Sequence, residues 1–545
     1  MQLQGQHVLI LGLGASGLAM ARWCARAGAE VSVADTRDAP PQLAALQAEW
    51  PSVRFVAGPL VAGLVEGTSV RAVFRSPGLA PEVVAPVVNA AQAMGLWQGG
   101  ELSLFAAALN DLSTRCAYQP HVLAITGTNG KTTVTALTGQ LVARAGKSVQ
   151  VAGNIGPTLL DTLTEALTQA QTQIDAQAAS EVQDNVEIEL PAESTSSETE
   201  SKITQRHPLA AALPEVWVLE LSSFQLDSSE GFEPTAATVL NVSQDHLDWH
   251  GDMTAYAAAK ARIFGLQTLM VLNREEPQVM AMRPAPVRAK LQKPVERECL
   301  LFGGDMPQRP GDFGIEVANG MTWLVRALEA DETRRRRKDQ DDDLHIQRLI
   351  PADALRIRGR HNAVNALAAL ALASSAGCAL GPMLYGLREY RGEPHRVEPV
   401  AIIDGVEFFD DSKGTNVGAT VAALKGLGAD RRIVAILGGE GKGQDFSPLA
   451  EPIARFARAV VLIGRDAPLI RAALQDSAAP LHDAADMASA VSLAAELAQS
   501  GDAVLMSPAC ASFDMFDHYV HRAEVFVQSV SQLAEAAGVA MEGGL

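Results

Sequence analysis

The segment VLAIT (122–126) runs straight into GTNGKTT and then into TVTALTGQLVARAG (133–146), which reads as an apolar strand, a glycine-bracketed turn and a helix. That succession commits the region to an α/β arrangement with the turn at a strand's C-terminal end. Gly127 and Gly130 let backbone N–H groups converge on one spot, Lys131 adds a point charge, and Thr132 offers a hydroxyl to Mg²⁺. The loop, including Thr128, Asn129 and Thr133, is therefore expected to cradle nucleotide phosphates. It is a shortened variant, because G-x-x-x-x-G-K-[ST] requires glycine at position 125, where Ile125 stands. A ligand-free glycine turn before a capped helix is the plainer alternative.

A second strand-turn-helix opens the chain. HVLILGLGASGLAMARWCARAGAEVSVADTR carries Gly12-x-Gly14-x-x-Gly17 after one strand and Asp35 after the next, the spacing of a dinucleotide fingerprint. Such a motif reports a diphosphate on a helix N-terminus and a ribose at the following strand. NAD and a UDP group both satisfy it. The turn RSPGLAP (75–81) after the strand RAVF puts Ser76, Pro77 and Gly78 at another strand end, where open α/β sheets bind ligands.

The chain has 545 residues, enough for three or four domains, and a formal net charge of -19, which argues against nucleic acid or an anionic membrane as partner. Its five cysteines are scattered without a C-x-x-C pair, so neither a disulfide framework nor a zinc site is supported, and a reduced, cytoplasmic protein is expected. No basic leader precedes a long apolar region at the start of the sequence. NALAALALASSAGCALGPML (365–384) is uncharged, yet its small residues suit a close-packed helix better than a membrane span. No stable membrane insertion is expected, and a monomer is.

The expected fold is α/β in three domains: a Rossmann-like domain over 1–116, a central P-loop-type domain with a parallel sheet over 117–392, and a second Rossmann-like domain over 393–545. Two polar stretches interrupt the middle one. Residues about 171–207 are acidic and almost free of aromatics, and so read as a disordered insertion. Residues about 330–345 (ADETRRRRKDQDDDLH) carry opposed charge runs that pair locally or stay solvated.

In the last block AIIDGVEFFDDSKGTN, RRIVAILGGEGKG, AVVLIGRD and DAVLMSPACASFD each set an apolar run before a polar loop, which gathers those loops at one edge of a parallel sheet. In the middle block VWVLEL ends at Glu220, and ATVLNVS leads to His246. Glu220 and Thr132 stand where a strand end and a phosphate loop can share one Mg²⁺. His246 is a second ligand, a base or a hydrogen-bonded structural residue.

GTNGKTT, GNIG (153–156), ELSSFQL (220–226), NVSQDHLDWH (241–250) and AAKARIF (258–264) together resemble the central domain of the Mur ligases, which build the peptide stem of bacterial peptidoglycan. GLGASG with DTR, DSKGTN, GGEGKG and SPACASFDMFDHY resemble the D-glutamate-adding branch of that family. The resemblance spans the chain apart from its two insertions. It implies ATP-dependent ligation of D-glutamate to UDP-N-acetylmuramoyl-L-alanine, through an acyl phosphate and a tetrahedral intermediate. Catalysis then rests on positioning and on cations that neutralise the transferring group.

The resemblance also implies residue roles. Lys131 and the loop amides hold the β- and γ-phosphates, and Thr132 and Glu220 a first Mg²⁺. Asn154 and His246 stand near the acceptor carboxylate. Lys260, as a carbamate formed with CO₂, joins His246 at a second Mg²⁺; an exposed helix lysine is the alternative. Asn362 and Asn365 contact adenine, unless they merely cap a helix. Arg396 reaches the ATP phosphates, and Asp411 and Lys413 steer nucleotide and amine. Lys413, Thr415, Lys442, Ser512 and Tyr519 surround D-glutamate; Tyr519 and Gly414 depart from the phenylalanine and alanine of the family pattern. Gly14, Ala15, Ser16, Asp35, Thr36, Arg37, Ser76 and Gly78 hold the UDP-sugar. Domain closure over ATP and substrate is expected. Another Mur ligase or a folylpolyglutamate synthase-like ligase is the alternative, the latter sharing the central plan but disfavoured by this N-terminal UDP-type domain, and a non-catalytic nucleotide-binding regulator would not need Lys131, Glu220, His246 and Lys260 together.

Overall fold

The computed structural model describes residues 3–184, 207–287, 295–329, 344–429 and 431–539. The first sheet is formed by β1 (His7–Leu11), β2 (Glu30–Asp35), β3 (Arg54–Ala57), β4 (Val70–Arg75) and β5 (Trp97–Gly99), in the order β3-β2-β1-β4-β5 with every pairing parallel. The order reverses between β1 and β4, so the Gly12–Gly17 turn and the Ser76 turn flank one crevice.

The second sheet contains β6 (His121–Thr126), β7 (Val149–Gly153), β8 (Val216–Glu220), β9 (Ala236–Val239), β10 (Leu269–Asn273) and β11 (Cys299–Phe302). Its order is β11-β10-β9-β6-β8-β7, again parallel. Every residue of β8 is buried, as expected of a strand covered on both faces. The uncharged stretch from residue 365 lies largely in the helix Arg360–Ser375, buried from Ala366 to Ala373. Its alanines let it pack tightly against β6, the helix Lys131–Arg144 and a further sheet.

That further sheet, β12 (Phe313–Ala318), β13 (Met321–Glu329) and β14 (Leu344–Pro351), is antiparallel and adds to the parallel sheet expected for the central region. The polar stretch that reads as disordered from residue 171 is helical through Asp184, continuing the helix Leu159–Asp184. Its Ala, Gln and Glu content favours helix without any core to pack on, and pairs such as Gln169–Glu165 (3.1 Å) and Gln171–Asp175 (2.8 Å) support it at i, i+4 spacing. The rest of that expectation, and most of the one for 330–345, lies outside the described residues.

The last sheet is built from β15 (Glu398–Ile403), β16 (Val406–Asp410), β17 (Ile433–Gly438), β18 (Ala457–Ile463), β19 (Leu481–Asp483) and β20 (Ala503–Met506), in the order β15-β16-β20-β17-β18-β19. AIIDGVEFF is not one strand but a hairpin, with β15 antiparallel to β16. Asp404 (φ 50°) and Gly405 (φ 79°) supply the two positive φ values a tight two-residue turn needs. The loops after β16, β17 and β20 emerge at one edge, because those strands are parallel neighbours.

The boundaries between these units differ in kind. One apolar cluster runs from the first sheet through the helix Glu101–Cys116 into the second sheet. Phe105 meets Trp217 edge-on at 5.3 Å there, and Trp217 Nε1 donates to the Tyr118 hydroxyl at 2.8 Å. The last sheet keeps its own two clusters.

Candidate active site

The phosphate-type loop leaves β6 at the middle of its sheet. Gly127 (φ 154°) and Gly130 (φ 82°) take conformations that L residues avoid, and a Cβ on Gly130 would stand 2.9 Å from Asn365 Oδ1. Asn241 fixes the loop by accepting from Asn129 N–H at 2.8 Å and donating to its carbonyl at 3.1 Å. Lys131 Nζ lies back across its own loop, donating to the Gly127 and Thr128 carbonyls at 2.9 and 2.8 Å. Burial pulls its pKa below the ordinary lysine value. Thr132 and Thr133 are buried in the first turn of the helix that follows.

Register brings Glu220 to this loop: it pairs with Ile125 of β6 on one side and Gly153 of β7 on the other. Glu220 is 1% exposed. Its Oε1 accepts from Asn154 Nδ2 at 2.8 Å, while Oε2 is buried with no hydrogen-bond partner among the described residues. A buried carboxylate oxygen left bare is costly, and a hard cation with oxygen ligands would satisfy it. The residues present thus fit Mg²⁺, held by Glu220 and the Thr132 hydroxyl. The Thr132 Oγ1 accepts from Arg396 at 2.8 Å, so the arginine already reaches the loop.

Lys260 is 1% exposed in the helix Met253–Ala261, not the exposed helix lysine that sequence leaves open. Its Nζ donates to the Gly127 carbonyl at 2.9 Å and sits 4.5 Å from the Tyr256 ring centroid. Burial, then the neighbouring Lys131, holds its pKa well below the ordinary value, which favours a neutral, nucleophilic amine. His246 adopts φ 53° against Phe224 (4.8 Å between rings), with Nε2 3.7 Å from Asp245. Burial lowers its pKa too. Near His246 the Asp245 carboxylate is an oxygen donor for a second cation, whereas Lys260 as an amine supplies none.

The segment after residue 393 crosses to this loop. His395 (φ 62°) and Val397 (φ 49°) bracket Arg396 in left-handed conformations. His395 Nδ1 is 2.7 Å from Asp410, its N–H donates to Glu398 at 2.8 Å, and Val397 N–H donates to Asp411 at 3.3 Å. Asn416 and Asn129 exchange amide hydrogen bonds at 3.3 and 3.1 Å, and Asn416 Nδ2 also donates to Asp245 at 3.3 Å. Asn362 and Asn365 lie on one helix face, 3.2 Å apart through their amides.

Asp411 accepts from Ser507 Oγ at 2.6 Å, and burial pushes its pKa up to about 7. A Cβ at Gly414 would come within 2.6 Å of Asp411 Oδ2, so the glycine is what lets that carboxylate lie where it does. Lys413 Nζ stands 5.6 Å from the Tyr519 ring centroid, and burial lowers its pKa. Exposed Lys442 (φ 50°) sits over Phe513, while Ser512 is buried and Thr415 half-buried on the same sheet edge.

In the first domain Gly14 precedes the helix Ala15–Arg26 without any side-chain cap. Asp35 is fully buried and saturated: it accepts from Leu13 N–H at 2.7 Å and from Arg37, whose side chain holds its pKa down to about 2. Its role in the structure is to shape the turn rather than to present a bare carboxylate. Ala15, Thr36, Arg37 and Gly78 are exposed around the crevice, and Ser76 lies buried beneath Gly12.

Three domain families match the chain: the Mur ligase MurD-like N-terminal domain over 6–97, the Mur ligase middle domain over 125–293, and the Mur ligase glutamate ligase domain over 395–510. The UDP-N-acetylmuramoylalanine--D-glutamate ligase of Albidiferax ferrireducens is 65% identical over 541 residues, 99% of each chain. The chain belongs to the Mur ligase family. The enzyme of the same name from a Polaromonas species is 55% identical, covering 99% of this chain and 100% of that one. Among solved structures, MurF ligase from Thermotoga maritima in complex with ADP superposes with a TM-score of 0.51 at 15% identity, covering 98% of this chain and 96% of that one. A pseudomurein peptide ligase type C from Methanothermus fervidus gives 0.50 at 16%, covering 97% and 100%. At those identities the likeness is one of fold.

Within this Mur ligase several side chains that complete the site carry no sequence signal of their own. Asn241 and Asp245 sit inside NVSQDHLDWH and Asn416 closes DSKGTN without standing out, Tyr256 lies just before AAKARIF, and Asn416 is also the N-cap of the helix Val417–Leu427. Asn416 bridges to Asn129 from 287 positions away in the chain.

Proposed function

We propose that the protein joins D-glutamate to UDP-N-acetylmuramoyl-L-alanine with ATP, in peptidoglycan precursor synthesis, releasing ADP and phosphate. Kinship over the whole length supports the substrates. The observation that carries the ligase chemistry is Glu220, a buried carboxylate with one bare oxygen beside the phosphate-type loop, Thr132 and Arg396.

A carboxylate resists nucleophiles because of its own charge. The γ-phosphoryl group of ATP therefore passes first to the terminal carboxylate of the UDP-linked acceptor, creating an acyl phosphate. The amine of D-glutamate attacks the acyl carbon, and the tetrahedral intermediate collapses with loss of phosphate. Lys131, released from its own loop carbonyls, binds the β- and γ-phosphates with Arg396 and the loop amides. Asn362 and Asn365 hold the adenine end. Glu220 and Thr132 hold one Mg²⁺, which supplies charge neutralisation on the transferring group. Asn154 and His246 orient the acceptor carboxylate, and Asp411 and Lys413 orient nucleotide and amine. Lys413, Thr415, Lys442, Ser512 and Tyr519 receive D-glutamate, whose two carboxylates need donors at both ends. The Gly14–Ser16 turn, Thr36, Arg37, Ser76 and Gly78 receive the UDP-sugar, with Asp35 holding Arg37 and the Leu13 turn in place beneath them.

A neutral buried amine at Lys260 is the form that adds CO₂, so we assign a carbamate there as oxygen donor for a second Mg²⁺ with His246; ¹³C-bicarbonate labelling would give a carbamate carbon signal that Lys260→Ala lacks. The reaction belongs in the cytoplasm, by a monomer; among the described residues no helix is long and apolar enough to cross a membrane.

The test is ATP-dependent phosphate release with UDP-N-acetylmuramoyl-L-alanine and, separately, D-glutamate, L-glutamate, L-lysine and meso-diaminopimelate, with Mg²⁺ and bicarbonate present. Release with D-glutamate alone, and a product heavier by one glutamyl residue, is expected. Silence in every tube from folded, ATP-binding protein would sink the reading.

A further inference from the structure

Glu101 belongs to none of the residues above, yet it is a carboxylic acid buried at the junction of the first two domains, 2% exposed. It opens the helix Glu101–Cys116, and two other helices begin against it. Leu160 N–H, in the first turn of the helix Leu159–Asp184, donates to Glu101 Oε1 at 3.0 Å. Ser16, in the first turn of the helix Ala15–Arg26, lies beside the carboxyl and favours its charged form, although outside full hydrogen-bonding geometry. Oε2 is buried with no hydrogen-bond partner among the described residues. The carboxyl therefore stands directly behind the turn Gly14–Ser16.

Charged groups on the elements packed around it are few. The helix Ala15–Arg26 offers Arg22, which is ion-paired to Glu49 and Asp161; the helix Leu159–Asp184 offers Asp161; and the short helix Ser223–Asp227 offers Asp227, paired with Arg75. β5 contributes no titratable side chain. Burial raises the Glu101 pKa to about 7, and Asp161 pushes the same way, against the Leu160 and Leu159 N–H groups and Ser16.

We propose that Glu101 is a proton-coupled positioning residue: as the diphosphate of the UDP-sugar settles on the first turn of the helix Ala15–Arg26, the carboxylate behind that turn takes one proton from solvent on its bare Oε2. This rests on the UDP-sugar reading of the Gly14–Ser16 turn. Two anionic groups on opposite sides of one turn, one of them the buried Glu101 carboxylate, repel through a poorly screened interior, and protonating the weaker acid removes the repulsion. A diphosphate diester has no proton to take up near neutrality, so the protein must supply the acceptor. The neutral acid keeps Oε1 as acceptor for Leu160 N–H, though a weaker one than the carboxylate, so the sugar-binding turn stays linked to the helix that follows the GNIG loop, where Asn154 donates to Glu220.

Titration calorimetry of the full-length protein with UDP-N-acetylmuramoyl-L-alanine, at pH 7 in buffers of different ionisation enthalpy, reads the proton directly. Uptake of about 0.5 proton per bound ligand is expected for a group half-ionised in the free protein. The dissociation constant should rise up to about tenfold per pH unit above 7. In Glu101→Gln the uptake should vanish and the affinity become flat with pH. If that variant does not fold, Glu101→Asp should keep the uptake but move its pH midpoint. Binding without buffer dependence, unchanged uptake in Glu101→Gln, or an unmoved midpoint in Glu101→Asp would each overturn the proposal. No binding by folded protein would instead overturn the UDP-sugar reading beneath it.

Discussion

The two boundaries of this Mur ligase are built from opposite materials. Between the first and second domains a single apolar cluster is continuous, and Phe105 stacks edge-on against Trp217 inside it. Between the second domain and the region after residue 393 the ties near the nucleotide loop are polar: Arg396 to Thr132, and Asn416 to Asn129 and Asp245. Water cannot replace the first kind of contact but readily replaces the second. The first two domains should therefore behave as one body, and the third as the part that docks and leaves. X-ray scattering with an ATP analogue and acceptor substrate should show compaction.

Breaking the apolar boundary should have the largest effect. Phe105→Ala is expected to cost about 3–5 kcal/mol of stability in denaturant unfolding, because a fully buried ring leaves a cavity that its neighbours fill poorly. Kcat of whatever remains folded should hardly change. Arg396→Ala should do the reverse. Losing the charged donor proposed to reach the ATP phosphates is expected to lower kcat/KM for ATP by about 10²–10³, with the unfolding midpoint nearly unmoved. If Arg396→Ala instead destabilises the fold as much as Phe105→Ala, the contrast fails.

Asp411 gives a pH test at the polar boundary. With its pKa raised to about 7, its charge is lost as pH falls through 7, so kcat/KM should drop by up to about tenfold per unit below that point if the carboxylate is the working form. Stability moves the other way. The folded state binds this proton more tightly than the unfolded chain, so Asp411 lowers stability as pH rises from about 4 to 7. Asp411→Asn should flatten both profiles. A smaller effect is expected from Asn416→Ala, about 1–2 kcal/mol or roughly tenfold in kcat/KM, with the amino-acid KM affected less than the ATP KM.

What could be read from sequence follows the same division. The Gly12–Gly17 and Gly127–Thr133 turns are local devices, each complete within a strand, a turn and a helix, and both stand where the pattern puts them. Asn416, Asn241 and Asp245 act across long separations, and no spacing rule connects them to Asn129. The helix through Asp184 was hidden for another reason: polar composition argues against a core, but a helix already anchored at Leu159 needs only good helix formers to continue. The β15–β16 hairpin was legible in the dipeptide Asp404-Gly405 inside AIIDGVEFF, a turn signal outweighed by the apolar run around it. Asp35 shows the limit of a motif: the acid is where the fingerprint wants it, yet its oxygens are taken by Leu13 and Arg37.

Val397 carries one more consequence. A β-branched residue at φ 49° pays about 1–2 kcal/mol for that conformation, and it does so beside Arg396, where the chain enters the third domain. That cost is carried only while the segment holds this conformation, so any rearrangement at the entry to the third domain that frees Val397 is favoured by the same amount. Val397→Gly, free of that cost, should stay shut longer, and single-turnover kinetics should show chemistry unchanged while ADP leaves several-fold more slowly.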